Sequence, residues 1–85
     1  PQIGWNSIFI KNKHKYLNGV PDKSDFYFVN SFVFVPENKD FIIAETDYGV
    51  KFCSAIAKDN IFGTQFHPEK SSNIGRRILQ NFLNA

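Results

Sequence analysis

Residues 63–71 read GTQFHPEKS, and the hydrophobic pattern of the chain changes within them. Before this stretch, aromatic and β-branched runs alternate with turn signals, which predicts a series of short strands. After it, apolar residues recur at the helical period through Ile74, Ile78 and Phe82, which predicts one helix. We therefore expect an α/β arrangement of several strands followed by a helix. Most strand pairings should be antiparallel, because the intervening turns are short.

Five segments have the composition of strands. Phe26 to Val35 is nearly continuous in aromatic and β-branched residues, which is typical of a strand buried on both faces. Lys51 to Ala57 alternates between polar and apolar residues and predicts a further strand. The remaining predicted strands are residues 5–10, 41–46 and 61–66.

Three residues near the start of the helix have more than one interpretation. Ser71 or Ser72 is the predicted N-cap, with its hydroxyl accepting a backbone N–H of the first turn. Gly75 lies inside the helix, where glycine costs about 1 kcal/mol relative to alanine. A glycine at this position permits either close packing or the approach of a ligand, and the pattern leaves both open.

Size and composition restrict the class of protein. A chain of 85 residues is one small domain or part of a larger one. No apolar run approaches the roughly 20 residues of a membrane span, and no signal peptide is visible at Pro1. The chain opens without methionine, as a start inside a domain would. The lone Cys53 excludes an intrachain disulfide, and we expect a cytoplasmic protein without a membrane partner.

The chain has a net charge of +2. Its charged residues are interspersed, except for a basic tract at Lys11, Lys13, His14 and Lys15. Such a tract is compatible with nucleic-acid binding. No recognition motif accompanies it, and a solvated loop explains it equally well. We expect a loop and no nucleic-acid partner.

His67 and Glu69 are the candidate catalytic residues. Side chains two residues apart in an extended segment point to the same side, and Pro68 stiffens the link between these two. A carboxylate beside an imidazole fixes its tautomer and stabilises the imidazolium, which prepares the histidine to activate a thiol or hydroxyl elsewhere. The spacing alone favours a structural alternative, in which Glu69 supports the helix N-terminus by about 0.3–1 kcal/mol.

Residues 64–71 closely resemble the C-terminal triad segment of the class I glutamine amidotransferases. Within that family, Pro1 to Asn6 and Phe26 to Phe32 resemble two stretches of the glutaminase subunit of imidazole glycerol phosphate synthase. The resemblance covers nearly all 85 residues. It implies that residues 1–85 are the C-terminal part of a three-layer, flavodoxin-like α/β domain. This part supplies the last strands, an antiparallel extension and the C-terminal helix, and packs against the N-terminal half of the same domain.

The resemblance also implies a function, which is hydrolysis of glutamine to glutamate and ammonia in histidine biosynthesis. His67 is then the general base and Glu69 orients it, and neither a cofactor nor a metal is expected. The ammonia passes to a (β/α)₈-barrel synthase subunit in a heterodimer. The residues at positions that the family uses for this interface are Trp5, Asn6, Tyr27 and Lys70.

The nucleophile of the family is a cysteine within a glycine–x–cysteine–x–glycine elbow. Nothing in the 85 residues matches this elbow, since Cys53 is flanked by Phe52 and Ser54. We predict that Cys53 is a buried, inert thiol. Residues 1–85 alone are therefore expected to be catalytically inactive.

Two positions depart from the family pattern. Asn30 stands where histidine is common and cannot titrate near neutral pH, while Phe32 stands where tyrosine is common and lacks its hydroxyl. These departures leave two alternatives open. One is a paralogous amidotransferase that supplies ammonia for amidino sugars of the bacterial surface, and the other is a non-catalytic β module that binds a partner protein.

Overall fold

The computed structural model describes residues 2–30 and 34–85, in which six strands precede one α-helix. The strands are β1 (Gln2–Ser7), β2 (Phe9–Ile10), β3 (Asp25–Asn30), β4 (Ile42–Asp47), β5 (Lys51–Lys58) and β6 (Ile61–Thr64), and the helix α1 spans Ser72–Leu83. Short 3₁₀ turns occupy Lys15–Leu17, Lys39–Phe41 and Pro68–Lys70. The predicted α/β content, mostly strands with a helix at the end, is confirmed.

The described strands form two antiparallel sheets. β1 pairs with β3, which places Trp5 opposite Tyr27, and the second sheet has the order β2-β4-β5-β6. A bridge between Phe28 and Phe66 joins β3 to the segment that follows β6. The smaller sheet is therefore tied to the larger one beside His67, and the predicted antiparallel pairing is confirmed.

Aromatic side chains pack together at this junction. The ring centroid of Phe66 lies 4.3 Å from that of Phe26 and 5.8 Å from that of Phe28, and all three side chains are buried. Phe52 of β5 meets Phe28 edge to face. Aromatic rings bury large areas and restrain one another's orientation, so the residue directly before His67 is held in the core.

Helix α1 is attached to the loop between β2 and β3. Ile78 is fully buried in the core, and the ring of Phe82 lies 5.2 Å from that of Tyr16. The side-chain amide of Asn81 donates to the carbonyls of Tyr16 and Asn18. No helix within the described residues is long and apolar enough to cross a membrane.

The basic tract is an exposed loop, as predicted. Lys11, Lys13 and Lys15 are exposed, and Lys11 lies 3.7 Å from the carboxylate of Glu45. His14 has a structural role, because its Nδ1 accepts a hydrogen bond from the backbone N–H of Tyr16.

The strand predicted at residues 26–35 differs from the observed one in extent and burial. β3 ends at Asn30, and Phe34 lies outside any strand. Burial alternates along β3, with Phe28 fully buried and Val29 42% exposed. The prediction of burial on both faces is therefore wrong. The run of aromatic and β-branched residues does not distinguish the side chains that face solvent from those that face the core.

The strand predicted at residues 5–10 is interrupted at Ile8. This residue is fully buried and its N–H donates to the carbonyl of Ser24 rather than to a neighbouring strand. The break lets β1 pair with β3 while β2 pairs with β4. A single apolar run thus contributes to both sheets.

Candidate functional site

A 3₁₀ turn carries the two candidate catalytic residues out of the sheet. Pro68 occupies the first position of the turn, where its missing N–H costs nothing. The N–H of Lys70 donates to the carbonyl of His67 at 3.1 Å. The extended geometry expected for residues 67–69 is therefore wrong, since the turn itself brings the side chains of His67 and Glu69 together.

The side chains of His67 and Glu69 form a hydrogen bond. Nδ1 of His67 lies 3.0 Å from Oε2 of Glu69, and the two side chains are 38% and 58% exposed. This bond from the imidazole holds the pKa of the Glu69 carboxyl below its usual value. An ionised carboxylate only accepts hydrogen bonds, so Nδ1 of His67 is the donor in this bond. In the neutral imidazole, Nε2 is then the atom with the lone pair. The pair can therefore take a proton from a third group.

The backbone of His67 is fixed by Tyr27 of β3 and by Ser71. The N–H of His67 donates to the carbonyl of Tyr27 at 2.9 Å. The hydroxyl of Ser71 donates to the carbonyl of His67 at 2.6 Å and accepts from the N–H of Tyr27 at 3.0 Å. These bonds tie the turn to the middle of β3.

Neither serine caps the helix in the way that the sequence predicts. Ser71 occupies the N-cap position without a side-chain capping bond, because its hydroxyl is engaged by Tyr27 and His67. Ser72 is already within α1 and has a φ of 60°. The role of Ser71 was missed because a serine before a helix has the same local signal whether it caps the helix or contacts a distant strand.

Gly75 brings helix α1 against the turn. A Cβ at this position would lie 2.0 Å from the carbonyl oxygen of Pro68 and 2.8 Å from Cβ of Ser71. These distances are shorter than any van der Waals contact permits. Of the two interpretations left open by the sequence, close packing is the one that the structure supports.

Trp5 and Tyr27 share one face of the smaller sheet. Their ring centroids are 5.7 Å apart in an edge-to-face arrangement, and Trp5 is 52% exposed. Ile3 and Val29 form the next cross-strand pair on this face and are also exposed. Asn6 lies opposite Phe26, so it belongs to the other face. The four residues assigned to an interface are therefore not all on one surface.

Lys70 is exposed at the end of the turn that holds His67 and Glu69. The Trp5 and Tyr27 face is linked to this turn through the backbone bond from His67 to Tyr27. The catalytic and interface candidates thus form neighbouring groups on one part of the molecule. The side chain of Asn30, and Phe32 altogether, lie outside the described residues.

Cys53 is buried in β5, and its thiol donates to the carbonyl of Ala55. Burial raises the pKa of this thiol to about 11. The predicted burial of Cys53 is confirmed. The thiolate is the reactive form, so the raised pKa fits the expected low reactivity, which stays a prediction. Within residues 2–30 and 34–85, no cluster of three histidine, cysteine or acidic side chains could hold a metal ion.

Comparison with known proteins gives one family throughout. Residues 1–85 match the family model described as glutamine amidotransferase class-I. The chain is 50% identical over 84 residues to the imidazole glycerol phosphate synthase subunit HisH of Pelagibacter ubique, covering 99% of this chain and 40% of that relative. It is 52% identical over 83 residues to the subunit of the same name from Buchnera aphidicola, covering 98% and 41%. The chain thus spans about 40% of the length of these curated relatives.

Proposed function

The chain belongs to the class I glutamine amidotransferase family, and from this premise we propose that residues 1–85 are the C-terminal part of a domain that hydrolyses glutamine to glutamate and ammonia. The hydrogen bond between Nδ1 of His67 and Glu69 carries the proposal. It leaves Nε2 of His67 as a base, which is the group that a cysteine nucleophile requires.

We assign the steps of hydrolysis as follows. Nε2 of His67 takes the proton of a cysteine thiol in the N-terminal half of the domain, and the thiolate attacks the amide carbon of glutamine. The imidazolium then gives this proton to the departing ammonia, and water releases glutamate from the thioester. Glu69 accepts from Nδ1 throughout and stabilises the imidazolium while it exists.

The acceptor of the ammonia is a (β/α)₈-barrel synthase subunit that forms imidazole glycerol phosphate in histidine biosynthesis. The names of the two relatives, both called imidazole glycerol phosphate synthase subunits, support this acceptor over an amidino-sugar pathway. Channelling of the ammonia between the subunits follows from the same assignment, since free ammonia would be diluted and protonated in water.

We expect residues 1–85 by themselves to release no glutamate from glutamine above the uncatalysed background. They contain one cysteine, and its buried thiol has a raised pKa, so no nucleophile is available to His67. The measurement is glutamate release by the 85-residue chain beside a full-length chain that includes a glycine–x–cysteine–x–glycine elbow.

The full-length chain should be active, and its inactivity would count against the proposed function. Activity of the short chain that disappears on Cys53→Ala would instead show that Cys53 is the nucleophile. Ser54→Ala, a neighbouring change in the same strand, serves as the control for a general disturbance of β5.

We propose that Lys70, Trp5 and Tyr27 contact the barrel subunit, while Asn6 supports the same strand from its other face. Trp5 is 52% exposed and packs edge to face on the half-buried Tyr27, and aromatic residues of this kind anchor interfaces. Lys70 supplies a cation beside the catalytic turn, where it can pair with a carboxylate of the barrel. Trp5 and Lys70 are exposed, whereas Asn6 and Tyr27 are half-buried.

Replacing Lys70 with alanine in the full-length subunit should weaken the complex by about 2–5 kcal/mol, the usual loss when one partner of a buried ion pair is removed. The fold should be unaffected, because the side chain is exposed. Titration calorimetry of the two subunits measures the affinity. Lys13→Ala removes the same charge from the exposed loop between β2 and β3 and should leave the affinity unchanged.

The same variant should release more glutamate per molecule of product, because a loosened interface lets ammonia escape. Unchanged affinity together with unchanged stoichiometry in Lys70→Ala would show that Lys70 is only a solvated surface charge.

A further inference from the structure

The hydroxyl of Ser71 is fully buried and makes two hydrogen bonds that neither the hydrolysis steps nor the helix requires. It accepts from the backbone N–H of Tyr27 at 3.0 Å and donates to the carbonyl of His67 at 2.6 Å. Residue 71 is one turn away from His67 in sequence but bonds to the strand 44 residues earlier. A purely local helix cap would not reach that strand.

Together with the backbone, these bonds form a closed ring. The N–H of Tyr27 donates to Ser71, Ser71 donates to the carbonyl of His67, and the N–H of His67 donates back to the carbonyl of Tyr27 at 2.9 Å. The two bonds that share the Ser71 hydroxyl polarise one another, and the bond from His67 to Tyr27 closes the ring through the backbone. The ring therefore holds both backbone polar groups of His67 against β3.

Packing behind the ring removes the remaining freedom of the turn. The carbonyl of Ser71 accepts the N–H of Gly75 at 3.1 Å. Gly75 is also the residue that lets α1 approach Pro68 without a clash. Ser71 is thus held by α1 on one side and by β3 on the other. His67 lies between these two elements in the sequence.

We propose that Ser71 is a positioning residue for His67, acting by fixing the backbone of His67 through the ring that includes Tyr27. This rests on the proposed role of His67 as the general base. The imidazole extends from this backbone toward a thiol on another part of the domain, and a displacement of about 1 Å between reacting groups can cost roughly 100-fold in rate. Glu69 sets the tautomer of His67, whereas Ser71 sets where the imidazole stands.

The test is Ser71→Ala in the full-length subunit with its barrel partner. Alanine fits the site but leaves the N–H of Tyr27 and the carbonyl of His67 each without one partner. We expect kcat for glutamine hydrolysis to fall by roughly 10–100-fold, within the loss expected for a misplaced base, while KM changes by less than about threefold. Ser71→Thr keeps the hydroxyl and should restore part of the lost kcat.

Ser54→Ala is the matched control. Ser54 is also fully buried, but its hydroxyl has no hydrogen-bond partner among the described residues. The same substitution there removes a buried hydroxyl without opening the ring, so kcat should be unchanged. A fall of similar size in both variants would show a general effect of buried serines and would overturn the assignment of Ser71.

Nuclear magnetic resonance of the same proteins tests the ring without relying on activity. In Ser71→Ala, the amide of Tyr27 should exchange with solvent at least tenfold faster, and the contact between the His67 ring and Glu69 should weaken. His14, which packs on Tyr16 with ring centroids 4.5 Å apart, is the internal reference and should not change. A wild-type subunit that does not hydrolyse glutamine would contradict the proposed function, whereas unchanged Tyr27 and His67 signals would contradict the role of Ser71.

Discussion

We expect glutamine-dependent synthesis to be lost when His67 is replaced by alanine, while synthesis from added ammonium continues at the wild-type rate. General base catalysis by a positioned side chain contributes about 10²–10⁴-fold, and in the proposed mechanism His67 takes the thiol proton and gives it to the departing ammonia. Ammonium in solution would bypass these steps, because the proposed barrel subunit uses only the ammonia that they release. The measurement is the initial rate of synthesis with each nitrogen source, on the assembled complex.

Glu69→Gln is the graded companion to this variant. A glutamine amide oxygen can still accept from Nδ1 of His67, but it carries no charge to stabilise the imidazolium, so the loss should be smaller than for His67→Ala. A wild-type rate would favour the structural alternative, in which Glu69 only supports the helix N-terminus. Loss of both activities in His67→Ala would show that His67 maintains the fold rather than the reaction.

Gly75→Ala should destabilise the domain, although alanine is the better helix former. Helix propensity alone would favour alanine by about 1 kcal/mol. The added Cβ would lie 2.0 Å from the carbonyl oxygen of Pro68, so α1 and the 3₁₀ turn at Pro68–Lys70 must separate. Overpacking of this kind costs about 1–3 kcal/mol and sometimes more, and we expect the upper part of that range because the opposing atom is backbone.

Urea denaturation of the full-length subunit measures this change as a lower midpoint at constant m-value. Gly63→Ala provides a matched control, since the nearest atom to its added Cβ is a side-chain carbon of Ile56 at 3.3 Å, and a side chain can move. Its effect should be much smaller. A more stable Gly75→Ala variant would mean that α1 does not press on the turn.

Gly75→Ala should also lose glutamine hydrolysis in the absence of urea, because displacement of Pro68 moves its neighbours His67 and Glu69. This distinguishes it from a variant that only lowers stability. Full activity in a folded Gly75→Ala protein would separate the packing of α1 from the position of His67.

The order of strands and helix could be predicted because hydrophobic period is a local property. The change from strand-like apolar runs to the helical period falls within residues 63–71, which join the last strand to the helix, and the structure has its boundary there. The pairing of His67 with Glu69 was expected from their spacing, but by a different geometry. A sequence does not show which face of a strand packs against the core. For this reason the exposed face of β3 was predicted to be buried.

Register explains the other differences. Trp5 and Asn6 are adjacent in β1, so the alternation of a strand sends them to opposite faces, but only the pairing with β3 puts Trp5 beside Tyr27. Ser71 reaches Tyr27 across 44 positions, a separation that no local signal indicates. Ser71 was therefore harder to find than the candidate catalytic residues His67 and Glu69.

Cys53 can report on transient opening of the larger sheet, in which it is buried. This residue is 6% exposed and lies in β5, between β4 and β6 of the larger sheet. A thiol reagent therefore gains access when the sheet transiently separates, and the labelling rate counts such events rather than chemical reactivity. The labelling rate of Cys53 can be followed as glutamine or the proposed barrel subunit is added. A lower rate would show that binding at the candidate site reduces transient opening of the larger sheet.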